Sequence, residues 1–561
     1  MIVRRHVPDA YRALAASGLP PVLARIYAAR GITHCRELDH SLTALPDFSS
    51  LANVEAAAER LARAIALRER VLVVADYDAD GATACAVAVR GLRALGADVG
   101  FLVPNRFEYG YGLTPEIVAV ALQRAPRLLV TVDNGVASVD GVRAAVQAGC
   151  DVLVTDHHLP GRELPSPAIV VDPNQPGCGF PSKHIAGVGV MFYVLTALRA
   201  RLRHDGRFAS APPPNLAALL DLVALGTVAD VVRLDHVNRI FVEQGLARLR
   251  AGRGQPGIAA LLRVAGRDVA RASASDLGFA VGPRLNAAGR LADMSLGIRC
   301  LLADTAQEAD PLAHELDRLN RERRDIEAAM QDEALADVDA MCASEASFTV
   351  CAYRPAWHPG VVGIVASRLK DRYHRPAVVF ANGNAGELRG SGRSIAGFHL
   401  RDAFDLVAKR EPGLMLRFGG HAHAAGLSIR ADALPRFADA FERIARDSLT
   451  DAALRRHLES DGVLARGELT FELGGALAAR AWGQGFAAPA FDDVFDVAEQ
   501  RIVGDAHAKL RLVRDREAFS AIAFRTAAAL PPRVHALYRP QVRHWNGLAS
   551  LELVVDYWSA P

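Results

Sequence analysis

Several things are scarce in this 561-residue chain, and each scarcity argues against a class of protein. Its seven cysteines (35, 85, 150, 178, 300, 342 and 351) are scattered without a C-x-x-C pair, which argues against a disulfide framework or a structural zinc site and predicts reduced core residues. No run of eighteen or more uncharged apolar residues is present, so no membrane span is expected. The opening MIVRRHVPDAYRAL lacks the continuous apolar stretch of a secretory signal, and a cytoplasmic location is expected. Excess charge is missing too. A net +2 neither demands nor excludes nucleic acid, because a basic groove beside an acidic site would cancel in the total. What is abundant is apolar material, 51% of residues, enough for the cores of about three to four domains.

The stretch around which the rest is organised is VLVVADYDADG, residues 71 to 81. Val71 to Val74 form a run too short for a buried helix and rich in β-branched side chains, which reads as an internal strand. Asp76, Asp78 and Asp80 follow at alternate positions, and Gly81 lets the backbone turn into a helix. Three carboxylates this close repel one another unless a cation sits among them. An EF-hand is excluded: counting from Asp76, the acid required at position 12 would be Val87, and the loop is entered from a strand.

Strands and helices then alternate, with further strands at 98–104, 127–135, 151–158 and 168–174, and a helix opened by Thr114 and Pro115. This alternation predicts a parallel, doubly wound α/β sheet. Ligands of such sheets bind outside the carboxyl ends of the strands, and three strands deliver acids or histidines there: Asp76/Asp78/Asp80, Asp133, and Asp156/His157/His158. Carboxylates with one or two imidazoles suit Mn²⁺ or Mg²⁺, and this many acids exceeds the need of one ion, which predicts two metals clamping a phosphoryl group. Adjacent histidines point in different directions, so one is expected to ligate and the other to orient or contact phosphate.

Farther on, LAALLDLVALGTVADVVRLDHVNR (216 to 239) reads as an apolar helix running into a turn at Gly226. Asp230 after it is the better ligand candidate; Asp221, among leucines and valines, is as well suited to a cap. In VGPRLNAAGRL (281 to 291), Arg284, Asn286 and Arg290 stand among small residues, which suits phosphate as well as an ordinary surface turn. A long charged helix from about 305 to 341 leads to a second α/β unit, whose glycine-rich stretches are read as anion-binding loops holding Arg389, Ser391, Arg393 and His421. Beyond about residue 455, short period-two runs predict a small antiparallel β barrel. There HAKLRLVRD sets Lys509 and Arg511 on one strand face, and Trp482, Phe486 and Trp545 are either a base-stacking platform or core.

The ordered set DYDADG (76–81), DNG (133–135), DHH (156–158), LDLVALGTVADVV (220–232), GPRLNAAGR (282–290), WHPGVVGIVASRL (357–369) and GGHAHAAG (419–426) resembles the DHH phosphoesterase family, and within it the single-stranded-DNA-specific exonucleases. The resemblance covers nearly the whole chain. It implies a two-metal (Mn²⁺ or Mg²⁺) hydrolase removing 5′ nucleotides from single-stranded DNA in the 5′-to-3′ direction, in recombination and repair. A helicase and a single-strand-binding protein are its candidate partners. By position, Asp78, Asp80, Asp133, His157 and Asp230 would ligate metal, while Asp76 and His158 would support the chemistry or contact phosphate. Arg106 and Arg284 are candidates for the 5′ phosphate and nearby backbone, with Asn286 and Arg290 beside them. Ser391, Arg393 and His421 would contact DNA from the DHH-associated domain, and the terminal barrel would be OB-like. The implied division is a helical lead-in (1–55), catalytic domain (56–303), connecting helix (304–345), DHH-associated domain (346–452) and OB-like domain (453–561). One departure stands out: many relatives carry histidine where this chain has Val74, which implies fewer ligands and weaker binding at the first metal. Two other readings compete: a DHH phosphodiesterase acting on short oligoribonucleotides or cyclic dinucleotides, and a non-catalytic nucleic-acid-binding scaffold.

Overall fold

The computed structural model describes residues 1–105, 112–341, 347–383, 386–526, 529–545 and 548–561. The chain forms two compact units, one of residues 318–458 together with Met1, the other of 2–317 and 459–561.

The larger unit holds the parallel sheet. Its strands are β1 (Arg70–Ala75), β2 (Asp98–Leu102), β3 (Leu128–Val132), β4 (Asp151–Thr155) and β5 (Ile169–Val171), ordered β2-β1-β3-β4-β5. Every pair is parallel, as the alternation predicts. Side chains alternate across the pleat, so Leu72, Val74, Leu129, Val152 and Val154 pack one face against Ile117, Val118, Val142 and Ala145. Those partners come from α2 (Pro115–Leu122) and α3 (Val139–Gln147); the sheet is also contacted by α1 (Ala79–Leu95) and α4 (Gly187–His204). Thr114 caps α2, its side chain accepting from Ile117 N. The chain order reverses beside β1, between β2 and β3, and that crevice is where a doubly wound sheet takes its ligand.

After α4 comes α5 (Leu220–Ala229). Gly226 lies inside α5 and not at a turn: a Cβ there would meet Thr83 Oγ1 at 2.2 Å and Asp80 Oδ1 at 2.7 Å, so glycine serves the approach of α5 to α1. A π-helical turn (Leu277–Val281) runs directly into α6 (Gly282–Leu291), so GPRLNAAGR is a helix and not a surface turn. The charged segment is one helix, α7 (Ala306–Met341).

The smaller unit has a mixed sheet of β6 (Val350–Tyr353), β7 (Ala377–Asn382), β8 (Glu387–Arg393), β9 (Met415–Gly420) and β10 (Ala424–Arg430), ordered β9-β10-β8-β7-β6, with α8 (Val362–Tyr373) between β6 and β7. Two of the glycine-rich stretches read as loops are strands here, with their backbones paired in ladders. Packing explains the glycines of β8: a Cβ on Gly390 would meet Phe380 Cε1 at 2.5 Å, and one on Gly392 would meet Leu400 Cδ2 at 2.7 Å.

In the larger unit, β11 (Phe491–Val503), β12 (His507–Arg514), β13 (Glu517–Ala523), β14 (Arg533–Trp545) and β15 (Leu548–Ser559) close a barrel in the order β11-β12-β13-β15-β14. It is not purely antiparallel, because β13 and β15 run parallel. Trp482 and Phe486 stack on each other and on Tyr27, and Phe486 is buried. They are core, not a platform for bases.

Candidate metal centre

Four adjacent strands end on an acid at one level of the sheet. Asp76, Asp133, Asp156 and Asp172 are the first residues past β1, β3, β4 and β5. Their N–H groups extend the ladder by one rung: Asp76 N donates to Val132 O (3.3 Å), Asp133 N to Thr155 O (3.0 Å) and Asp156 N to Val171 O (3.2 Å). All four side chains are buried.

The loop after β1 is held from several sides. Asp78 caps α1, its Oδ1 accepting from Asp80 N (2.9 Å) and Gly81 N (3.0 Å). Asp80 reaches across to the first turn of α4, where Gly187 N donates to Oδ2 (2.7 Å) and Val188 N to Oδ1 (3.1 Å). A carboxylate at a helix N-terminus is favoured by the orphan amides and the dipole together. Asp133 sits in the left-handed region at φ 62°, uncommon for a residue other than glycine, and a Cβ on Gly187 would lie 2.8 Å from its Oδ1. The first turn of α4 therefore presses against Asp133 where no larger residue fits.

Three overlapping groups of side chains bring their donor atoms within 4.8 Å of one another: Asp76, Asp78 and Asp133; Asp80, His157 and Asp230; Asp133, His157 and His158. His157 Nε2 lies 3.1 Å from Asp133 Oδ1, 3.5 Å from Asp230 Oδ2 and 3.9 Å from Asp80 Oδ2. Every metal or supporting residue expected from sequence is in this cluster. Burial, then the charge of Asp78, pushes the Asp80 carboxyl up to about 7. Burial and the neighbouring aspartates also hold Asp133 and Asp230 well above the usual carboxylate range. Such a set gains by gathering round a cation. The donors are carboxylate oxygens and imidazole nitrogens without a thiolate, which fits Mn²⁺ or Mg²⁺.

Asp156 has another job. Its Oδ1 accepts from His157 N (2.8 Å), faces His158 Nδ1 at 2.7 Å, and its Oδ2 accepts from Val136 N (2.9 Å). Burial alone would raise its carboxyl, but the His158 hydrogen bond and charge bring it below the ordinary value. Burial alone would lower His158, but the Asp156 hydrogen bond and charge carry it to about 9.

Two residues that were not singled out in the sequence belong here. Asn174 Nδ2 donates to His157 O (2.7 Å) and Lys183 O (3.3 Å), and Asp172 Oδ1 accepts from Asn174 N (2.6 Å). Burial, then the nearby charge of Asp156, pushes Asp172 up to about 8. The signal for Asp172 was in the sequence, since it is the first acid after its strand, as Asp76, Asp133 and Asp156 are. Nothing local marks Asn174.

Other expected site residues lie apart from the cluster or serve its frame. Asn286 Oδ1 accepts from Ala79 N (2.9 Å), and a Cβ on Gly289 would lie 2.0 Å from Tyr77 O, so α6 clasps the first aspartate loop. Arg284 pairs with Asp317 at 2.8 Å and donates to Ala280 O (2.6 Å). Arg290, near the end of α6, is partly buried. Asp221 accepts from Leu222 N and from Gln255 N, tying its helix to the chain at Gln255, a structural role rather than a cap. Val74 is buried in the sheet core. Arg106 lies outside the described residues. In the smaller unit, Arg393 Nη1 donates to Ser391 Oγ (3.1 Å) and Gly392 O (2.8 Å), and both side chains border Gly363 at the start of α8. Burial lowers the Arg393 guanidinium, which among the described residues has no carboxylate partner. His421 is exposed at the end of β9, its N donating to Ala424 O. On the barrel, Lys509 pairs with Glu552 (2.6 Å) and Arg511 with Glu499 (3.1 Å).

Family models match three stretches: the DHH family N-terminal domain at 70–227, the DHHA1 domain at 345–447 and the RecJ OB domain at 460–557. The chain is 47% identical to the single-stranded-DNA-specific exonuclease RecJ of Escherichia coli, over 99% of this chain and 98% of that protein. It is similar in structure to RecJ of Thermus thermophilus in complex with Mn²⁺, at a TM-score of 0.84 and 32% identity, covering 100% of this chain and 79% of that one. The same protein in complex with Mg²⁺ matches at a TM-score of 0.78 and 30% identity, covering 100% and 78%.

Proposed function

The chain belongs to the RecJ family of single-stranded-DNA-specific exonucleases, and from that premise we propose that it removes nucleotides from the 5′ end of single-stranded DNA by metal-dependent phosphodiester hydrolysis, in recombination and repair. The observation that carries this reading is the convergence of seven acids and histidines from separate elements on one sheet edge. Asp78, Asp80, Asp133, His157 and Asp230 are the assigned ligands of two Mn²⁺ or Mg²⁺ ions. When bound, these cations supply positive charge against the scissile phosphate and activate the attacking water.

The protein's own part is positioning and proton control. The α4 amides fix both Asp80 oxygens, and the Asp156 carboxylate fixes His158 through Nδ1. With Nδ1 taken up by Asp156, His158 keeps Nε2 for a phosphate oxygen. Asp76 completes the donor set beside Asp78 and Asp133. In the smaller unit, Arg393, Ser391 and His421 are assigned to the DNA backbone: a half-buried guanidinium that among the described residues has no carboxylate partner suits an anion. Arg106, Arg284, Asn286 and Arg290 are assigned to the 5′ end, Asn286 by way of the aspartate loop it holds. The division into lead-in (1–55), catalytic (56–303), connector (304–345), DHH-associated (346–452) and OB-like (453–561) parts is the functional one we adopt.

An exonuclease confined to single strands needs strands opened and kept open, so a helicase and a single-strand-binding protein are its partners, and the cytoplasm is its compartment. Digestion of 5′-labelled and 3′-labelled single-stranded DNA in Mn²⁺, Mg²⁺ and EDTA, with duplex and RNA controls, tests the reading. Immediate release of the 5′ label as mononucleotide, lost in EDTA and on blunt duplex, is expected. Cleavage of very short oligonucleotides alone would replace it with an oligonucleotide phosphodiesterase.

A further inference from the structure

Five large hydrophobic side chains among the described residues are more than 60% exposed: Phe279 (84%), Leu548 (75%), Met1 (67%), Leu159 (66%) and Val231 (63%). Three of the five border the acidic cluster. Leu159 directly follows His158, and Val231 directly follows Asp230. Phe279 lies in the π-turn (Leu277–Val281), which packs on the last turn of α5: a Cβ on Gly278 would lie 3.0 Å from Val228 Cγ1, and one on Gly282 3.2 Å from Ala229 Cβ. From there α6 runs on to clasp Ala79 and Tyr77, so one continuous segment borders both the Asp230 end and the Asp76 loop.

Two of these positions are also held in unusual backbone. Val231 is a β-branched residue at φ 61°, and a π-turn is a rare form of helix found mostly at functional sites. A strained backbone that points an apolar side chain into water, beside a site for a polyanion, calls for an apolar occupant. The substrate of the function proposed above supplies one. With its phosphate drawn to the acids through cations, a single strand has unpaired base faces to bury, and stacking on an aromatic ring is indifferent to sequence.

We propose that Leu159, Val231 and Phe279 form an apolar rim that receives the nucleobases flanking the scissile phosphate, with Phe279 stacking on one of them. This rests on the exonuclease reading and adds to it the residues that hold the bases. Phe279 is almost fully exposed, so its replacement leaves the core intact.

The test compares the full-length wild type, Phe279→Ala and Phe279→Trp on an oligothymidylate and on the same strand with abasic sites at its first three 5′ positions. For wild type, abasic sites are expected to raise KM about tenfold, the scale of one lost stack. Phe279→Ala should raise KM on the intact strand by a similar factor with kcat little changed, show no further rise on the abasic strand, and be rescued by Phe279→Trp. Leu159→Ala should give the same pattern more weakly. Equilibrium binding in EDTA should repeat it without turnover. A Phe279→Ala enzyme with wild-type KM, or with an abasic penalty as large as that of wild type, would overturn the rim. A wild type that does not digest single-stranded DNA would overturn the exonuclease reading itself. A change in oligomeric state with an unchanged abasic response would assign the rim to self-association.

Discussion

Asp133 and Asn174 show how different two residues of one site can look. Asp133 serves two of the three donor groups from a left-handed backbone, with the first turn of α4 pressed against it. Asp133→Ala should lower turnover by more than about 10²-fold, the scale of losing one electrostatic partner of a transition state. Binding of single-stranded DNA in EDTA should stay within a few-fold of wild type; gel shift and single-turnover cleavage check the two halves. Asn174 acts on the His157 carbonyl, which its Nδ2 holds from behind the ligand. Asn174→Ala should therefore keep the fold and raise the Mn²⁺ concentration for half-maximal binding by about 10–100-fold, the usual cost of removing a support from a ligand. Calorimetric Mn²⁺ titration measures it. Asp133 was legible in the sequence because an acid at a strand end is a pattern. Asn174 was not, because its partner is a backbone carbonyl seventeen positions away.

At the scale of elements, the site depends on how closely helices approach. Gly187 admits α4 against Asp133, Gly226 admits α5 against Asp80 and Thr83, and Gly289 admits α6 against the Tyr77 carbonyl. Gly226→Ala should destabilise the metal-free protein by about 1–3 kcal/mol, as overpacking does, because its Cβ has no space beside Thr83 Oγ1. A lowered midpoint in chemical denaturation would show it; unchanged stability would mean that α5 moves away freely. The same glycine read from sequence as a turn. Composition cannot separate a glycine that bends the chain from one that lets a neighbour come near, and the glycines of β8 misled in the same way. By contrast, the strand–helix alternation around the sheet was readable, because the central strands β1, β3 and β4 are buried on both faces and so are continuous apolar runs.

For the molecule as a whole, repulsion among buried carboxylates in the metal-free state makes stability depend on cations. Saturating Mn²⁺, at about 100 times its Kd, should stabilise the larger unit by about 2.7 kcal/mol, read as a rise in Tm that Asp133→Ala largely loses. A second dependence lies in the link between the chain start and the barrel. Asp492 takes hydrogen bonds from Arg4 (2.9 Å) and Ser460 (2.5 Å) and faces His535 Nε2 at 3.0 Å. Burial would raise its carboxyl, but these partners hold it at about 2. A carboxyl held below its unfolded value of about 4 stabilises above that pH, and the contribution fades as pH falls toward 2. Asp492→Asn should thus cost on the order of 1–2 kcal/mol at neutral pH, discounted for the exposure of Arg4, and the gap in Tm should close on acidification.

By itself the sequence determined the parallel sheet, the strand ends that carry Asp76, Asp133 and Asp156, and the metal class those donors suit. These are local: period, burial run and residue chemistry fix them within a few positions. Tertiary structure decided the rest. It set the strand order that places the crevice beside β1, the register that puts Asp172 on the same level, and the helix ends that grip Asp80. It also placed Trp482 and Phe486 in a core and Phe279 in water. Those outcomes depend on which distant surfaces meet, and contacts between residues far apart in the chain leave no periodic trace in it.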